Sequence, residues 1–175
     1  METQNRKMLK GIIASTVGPG ETLEHVDPGT QMSATELAEF SKKAIGDVYK
    51  HALLSAPAAA VGAGRMGKRV ATAGYQNKFD EIERYAVLVT DKALRIIPVQ
   101  TKSKMFGVEY VQREDIAAIE FAREGVSLEL GDVDTTTFYG QKSQTVEVVM
   151  HGEGSEPVVL KMFEVDSWRE LASRQ

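Results

Sequence analysis

Tyr85-Ala86-Val87-Leu88-Val89-Thr90-Asp91-Lys92-Ala93-Leu94-Arg95-Ile96-Ile97 decides the fold. Two runs of β-branched and apolar residues flank a short polar turn, Thr90-Asp91-Lys92, which is the pattern of a β-hairpin. Outward from it, toward the C-terminus, strand-like stretches recur at short intervals. Pro98 marks an edge or a bulge near the end of Ala93 to Val99, since proline cannot donate to a ladder. Thr101-Lys102-Ser103-Lys104 reads as a basic loop, followed by strands at Phe106 to Val111 and Ile116 to Ala122. Val126 to Leu130, Thr135 to Tyr139, Gln144 to Met150 and Pro157 to Phe163 complete the set. Asp166 or Ser167 then caps a final helix that carries Trp168, Leu171 and Ala172.

Seven or eight short strands with no helix among them predict an antiparallel barrel or sandwich. The expected fold class is α+β and mainly β, with a C-terminal capping helix and an amphipathic N-terminal helix. That N-terminal helix has a clear start. Ser33-Ala34-Thr35-Glu36 is a capping box, in which the serine hydroxyl takes the Glu36 amide and the glutamate reaches back. Leu37, Phe40, Ala44, Ile45, Val48, Ala52 and Leu53 follow at three- and four-residue spacing, so a helix is predicted over about 34–55, ended by Pro57. One apolar stripe implies that it packs on the β-domain or on a second protomer.

Four segments result: a partly ordered arm over 1–32, the amphipathic helix over 33–56, an Ala/Gly-rich linker over 57–80, and a β-domain over 81–175. The chain of 175 residues is 42% hydrophobic and 26% charged, within the range of globular domains. It has no cysteine, which excludes disulfides and thiolate metal sites. Its net charge of −4 disfavours generic binding to nucleic acid. Charge is uneven: residues 1–80 carry 10 Lys/Arg against 8 Asp/Glu, and the remainder 11 against 17. No apolar run reaches the roughly 20 residues of a spanning helix, and no signal-peptide core follows the basic start, so a cytoplasmic protein is expected.

The hairpin Tyr85 to Ile97, the strand entry Val111-Gln112-Arg113-Glu114-Asp115-Ile116-Ala117-Ala118-Ile119, and Trp168 with Leu171 in the last helix resemble the PH-like superfold. The small bacterial and GRAM-like members are the nearer likeness, over residues 85–175 only. The resemblance implies a seven-stranded barrel with one open end plugged by a helix. It also implies a binding module for phosphoinositides, peptides or proteins. Phosphoinositide binders of that kind use a long basic first loop, whereas Thr90-Asp91-Lys92 is short and carries an acid. Lys102 and Lys104 on the second loop remain as cations for a phosphate or an acidic partner.

Gly62-Ala63-Gly64-Arg65-Met66-Gly67 is formally a G-x-G-x-x-G, and with Lys68 it approaches a P-loop. Both mechanisms need a strand before and a helix after the glycines, and Arg69 stands where a P-loop has Ser or Thr. A linker is the plainer reading. Arg65, Lys68 and Arg69 make the same segment a candidate contact for an anionic membrane or nucleic acid. His25, His51 and His151 have no ligand spacing, and no catalytic set stands out, so neither metal nor cofactor is expected. The leading expectation is a non-catalytic PH-like module that recognises a protein, a peptide or a membrane surface. The alternatives are an assembly protein that homo-oligomerises through the 34–55 helix, and a nucleotide binder using Gly62 to Lys68.

Overall fold

The computed structural model describes residues 4–55, 82–105 and 107–175. Helices α1 (Gln4–Met8) and α2 (Lys10–Thr16) precede strand β1 (Leu23–Thr30) and helix α3 (Ala34–Ser55). Strands β2 (Arg84–Thr90), β3 (Ala93–Lys104), β4 (Gly107–Gln112) and β5 (Ile119–Ala122) follow. Then come β6 (Ser127–Phe138), β7 (Gln141–His151), β8 (Val158–Met162) and helix α4 (Val165–Ser173). The eight strands form one antiparallel sheet in the order β4-β3-β2-β1-β8-β7-β6, with β5 beside β3. The sheet does not close, because β4 and β6 stand at its two ends.

The hairpin that opens the β-domain forms as its sequence demands. Val87 and Val89 enter one core, whereas Ala86 and Leu88 enter a second core on the opposite face. Strand β3 alternates in the same way, with Leu94 and Ile96 in the first core and Ile97 and Val99 in the second. A strand buried on both faces has no polar face, so its apolar run is continuous. The first core also holds Val146, Val148, Met150 and Leu160, so the sheet curls and its two halves share one interior. Trp168 of α4 is fully buried in that interior, with Leu171 beside it. The second core is covered by Leu9 and Ile12, carried at the start of and within α2.

Residues 4–32 supply two short helices that cover a core and a strand that lies between β2 and β8. The sheet is therefore not contained within 81–175. Strand β1 pairs with β2 over its length but with β8 only at Gly29↔Met162 and Thr30↔Lys161. A Cβ on Gly29 would lie 2.5 Å from Met162 Sδ, so glycine is what lets the halves meet.

Helix α3 starts where its capping box places it. The Glu36 amide donates to Ser33 Oγ (3.3 Å) and the Ser33 amide to Glu36 Oε2 (2.7 Å). Two further first-turn amides are taken by the sheet, Ala34 by Thr145 Oγ1 (2.9 Å) and Thr35 by Asp134 Oδ2 (2.6 Å). The Thr35 amide, followed by the Thr35 hydroxyl, holds the Asp134 carboxyl below its usual range. The buried face is Ala34, Ala38, Ser41 and Ala44, while Leu37 and Phe40 are half-buried at its border. Small side chains let the helix approach β6 and β7 closely, which shifts the packed stripe by about one position from the predicted one. Of the predicted stripe, the side chains of Val48, Ala52 and Leu53 lie outside the described residues.

Other boundaries move for physical reasons. Lys102 and Lys104 sit in β3, not in a loop, because Lys102 pairs with Glu109 and Lys104 with Gly107 of β4. Pro98 falls where the outer partner of β3 changes, after Ile96↔Ile119 and before Val99↔Gln112, so its missing N–H disturbs no ladder. The two strands expected over 126–139 are one bulged strand, β6, with its irregularity between Leu130 and Val133. Helix α4 begins before Asp166, with the Trp168 amide donating to the Glu164 carbonyl (3.1 Å) and no side-chain cap.

Candidate functional site

Helix packing, not sequence proximity, gathers the cations. Lys7 of α1 and Lys10 of α2 are exposed, because Leu9 and Ile12 commit the opposite face to the second core. Helix α2 lies against β4, the second strand of the β3–β4 hairpin. Lys7, Lys10 and Lys104 consequently line one open groove of about 880 Å³, with Met105 at its rim. Met105 is 89% exposed, the largest exposure among the large apolar side chains described. Lys102 is exposed two residues before Lys104 and so shares its face of the strand. Lys104 pairs with Glu109, whereas Lys7, Lys10 and Lys102 have no ion pair among the described residues.

Of the cations singled out in sequence, Lys102 and Lys104 join this surface. Arg65, Lys68 and Arg69, with the whole Gly62 to Lys68 segment, lie outside the described residues. Lys7 and Lys10 were missed as partners of the hairpin. Their signal was present in the spacing of Met8, Leu9, Ile12 and Ile13, which is helical and leaves the lysines on the other side.

The first turn of the domain is engaged structurally. Thr90 Oγ1 accepts the amides of Lys92 (3.2 Å) and Ala93 (3.0 Å), and Asp91 Oδ1 accepts the Thr22 amide (2.8 Å). Arg95 is held by Glu21 (2.7 and 2.8 Å) and Glu120 (2.8 Å). The Arg95 guanidinium brings the Glu21 carboxyl down to about 2.

A second polar group is enclosed in the first core. Asp27 Oδ2 accepts from Trp168 Nε1 (2.8 Å) and from the amides of Phe163 and Glu164 (2.9 Å each). Burial nonetheless raises the Asp27 carboxyl to about 7. His25, two residues earlier on the same face, meets the Trp168 ring edge-on at 4.9 Å and is lowered to about 4 by burial. Asp27 is fully buried and His25 half-buried, and neither lines the lysine groove.

No family model, curated protein or solved structure matches the chain. Among the described residues, no group of three or more His, Asp or Glu is placed to hold a metal ion. No described helix is long and apolar enough to cross a membrane.

Proposed function

We propose that the chain is a non-catalytic binding module of the PH-like kind, and that its ligand is an anionic membrane surface met by the groove between α2 and the β3–β4 hairpin. The likeness in fold rests on the curled antiparallel sheet and on the C-terminal helix whose tryptophan fills the interior. One observation carries the ligand: Lys7, Lys10 and Lys104, from three different elements, converge beside an almost fully exposed Met105. Cations flanking an exposed apolar tip match a surface that is negative outside and apolar beneath. Lys7, Lys10 and Lys102 contribute about 1 kcal/mol each near an anionic leaflet. Burying Met105 adds about 2 kcal/mol. Together these give roughly 5 kcal/mol, a submillimolar and reversible attachment.

Vesicle co-sedimentation tests the reading. Binding is expected to vesicles of phosphatidylcholine with phosphatidylglycerol, to weaken as salt rises, and to be lost in the Lys7→Glu, Lys10→Glu double variant. Equal partition onto neutral and anionic vesicles would overturn it.

A further inference from the structure

One acid lies among the lysines. Glu109 of β4 lines the same groove as Lys7, Lys10 and Lys104, and it is the sole acidic residue among the described ones that do. In the β3–β4 ladder Glu109 lies directly opposite Lys102, so the two side chains share one face of the hairpin. Lys104, opposite Gly107, is the diagonal neighbour of Glu109 on that face. Glu109 Oε2 is paired with Lys104 Nζ, which joins a half-buried carboxylate to an exposed lysine. The other oxygen, Oε1, turns toward α2. A Cβ on Gly11 would lie 3.0 Å from it, so the glycine leaves the notch in which the carboxylate rests. A carboxylate seated there stands where an anionic headgroup would stand, and it withholds one of four lysines from any ligand.

We propose that Glu109 is a built-in competitor for the anionic surface: it masks Lys104 in the free chain, and a lipid phosphate displaces it only where anionic headgroups are dense. This role rests on the membrane reading of the groove and supplies its regulation. While the pair holds, Lys7, Lys10 and Lys102, which have no ion pair among the described residues, draw the chain to a leaflet. Displacement exchanges one charge-assisted contact of Lys104, to a carboxylate, for another, to a phosphate. Mass action decides such an even exchange. Binding therefore turns on at high surface charge and stays weak on sparsely charged vesicles.

Co-sedimentation of the full chain with phosphatidylcholine vesicles of rising phosphatidylglycerol fraction tests the role. Glu109→Gln strengthens binding by about fivefold, the worth of one unmasked lysine near an anionic leaflet, and moves its onset to a lower phosphatidylglycerol fraction. Glu114→Gln makes the same change of charge at an exposed residue that does not line the groove, and strengthens binding by less than about twofold. In a Lys104→Gln background the gain from Glu109→Gln falls to that of Glu114→Gln, because no cation is left to unmask. If the parent binds but Glu109→Gln gains no more than Glu114→Gln, or if Lys104→Gln leaves the gain undiminished, the role of Glu109 is overturned and the membrane surface stands. If neither the parent nor Glu109→Gln binds vesicles rich in phosphatidylglycerol, both are overturned.

Discussion

Trp168 Nε1 donates to Asp27 Oδ2 across 2.8 Å, joining residues 141 apart in sequence. The same oxygen takes the two amides just ahead of α4, so one carboxylate from β1 fixes the start, direction and indole of the closing helix. Trp168→Phe removes that hydrogen bond and leaves a void in the first core, where Trp168 is fully buried. A loss of about 2–4 kcal/mol is expected, combining cavity and hydrogen-bond costs. Urea unfolding followed by far-UV circular dichroism measures it. A loss below about 1 kcal/mol would mean that the indole is not the anchor.

Asp27 and His25 pull the pH dependence of stability in opposite directions. The Asp27 carboxyl is raised to about 7 in the fold. Between its ordinary value near 4 and about 7, the native state keeps a proton that the unfolded chain has released, so this group makes stability fall as pH rises. The slope is about 1.4 kcal/mol per pH unit while the difference lasts. His25 is lowered to about 4. Between about 4 and 6.5 the unfolded chain binds the extra proton, so this group makes stability rise with pH. The two contributions largely cancel over that window. Asp27→Asn unmasks the His25 contribution, so its stability rises more steeply from pH 4 to 6.5 than that of the parent chain. His25→Gln leaves the falling Asp27 contribution. Urea midpoints at half-unit pH steps decide the matter, and two variants with the same profile as the parent would refute it.

Two glycines separate close packing from tolerance. A Cβ on Gly152 would lie 2.2 Å from Cδ1 of the buried Phe121 ring, and a ring on β5 cannot bend away. On Gly29 the clash is with the sulfur of Met162, which has rotatable bonds to absorb it. Gly152→Ala should therefore cost about 2–3 kcal/mol and Gly29→Ala less, as overpacking is priced by what can move. Thermal midpoints of the two variants give the order directly.

Legibility in the sequence followed the range of the interaction. The Tyr85 to Ile97 hairpin and the Ser33–Glu36 capping box are local, and both form where their residues place them. The second half of strand β1 was illegible because Asp27-Pro28-Gly29 has the composition of a turn. Tertiary context reverses each residue: Asp27 anchors Trp168, Pro28 pairs with Ala86, and Gly29 makes room for Met162. The lysine surface was half legible. Lys102 and Lys104 stood out as a basic pair, but only the packing of α2 beside β4 brings Lys7 and Lys10 to them.

The continuous apolar character of β2 yields the last prediction. In a sheet with one buried face, alternate residues of Tyr85 to Thr90 would face water, and truncating them would cost little. Here Leu88 is fully buried against Leu9 and Ile12, on the face away from Val87. Leu88→Ala should cost about 2–4 kcal/mol and Val87→Ala about 2 kcal/mol, so neither face of the strand is silent. Val159 of β8, at 45% exposure, is the control, and its change to Ala should stay near 0.5 kcal/mol or below. Urea unfolding of the three variants reads the difference. If Leu88→Ala behaves like Val159→Ala, then α1 and α2 do not cover the sheet, and the groove that they form with Lys104 and Met105 loses its wall.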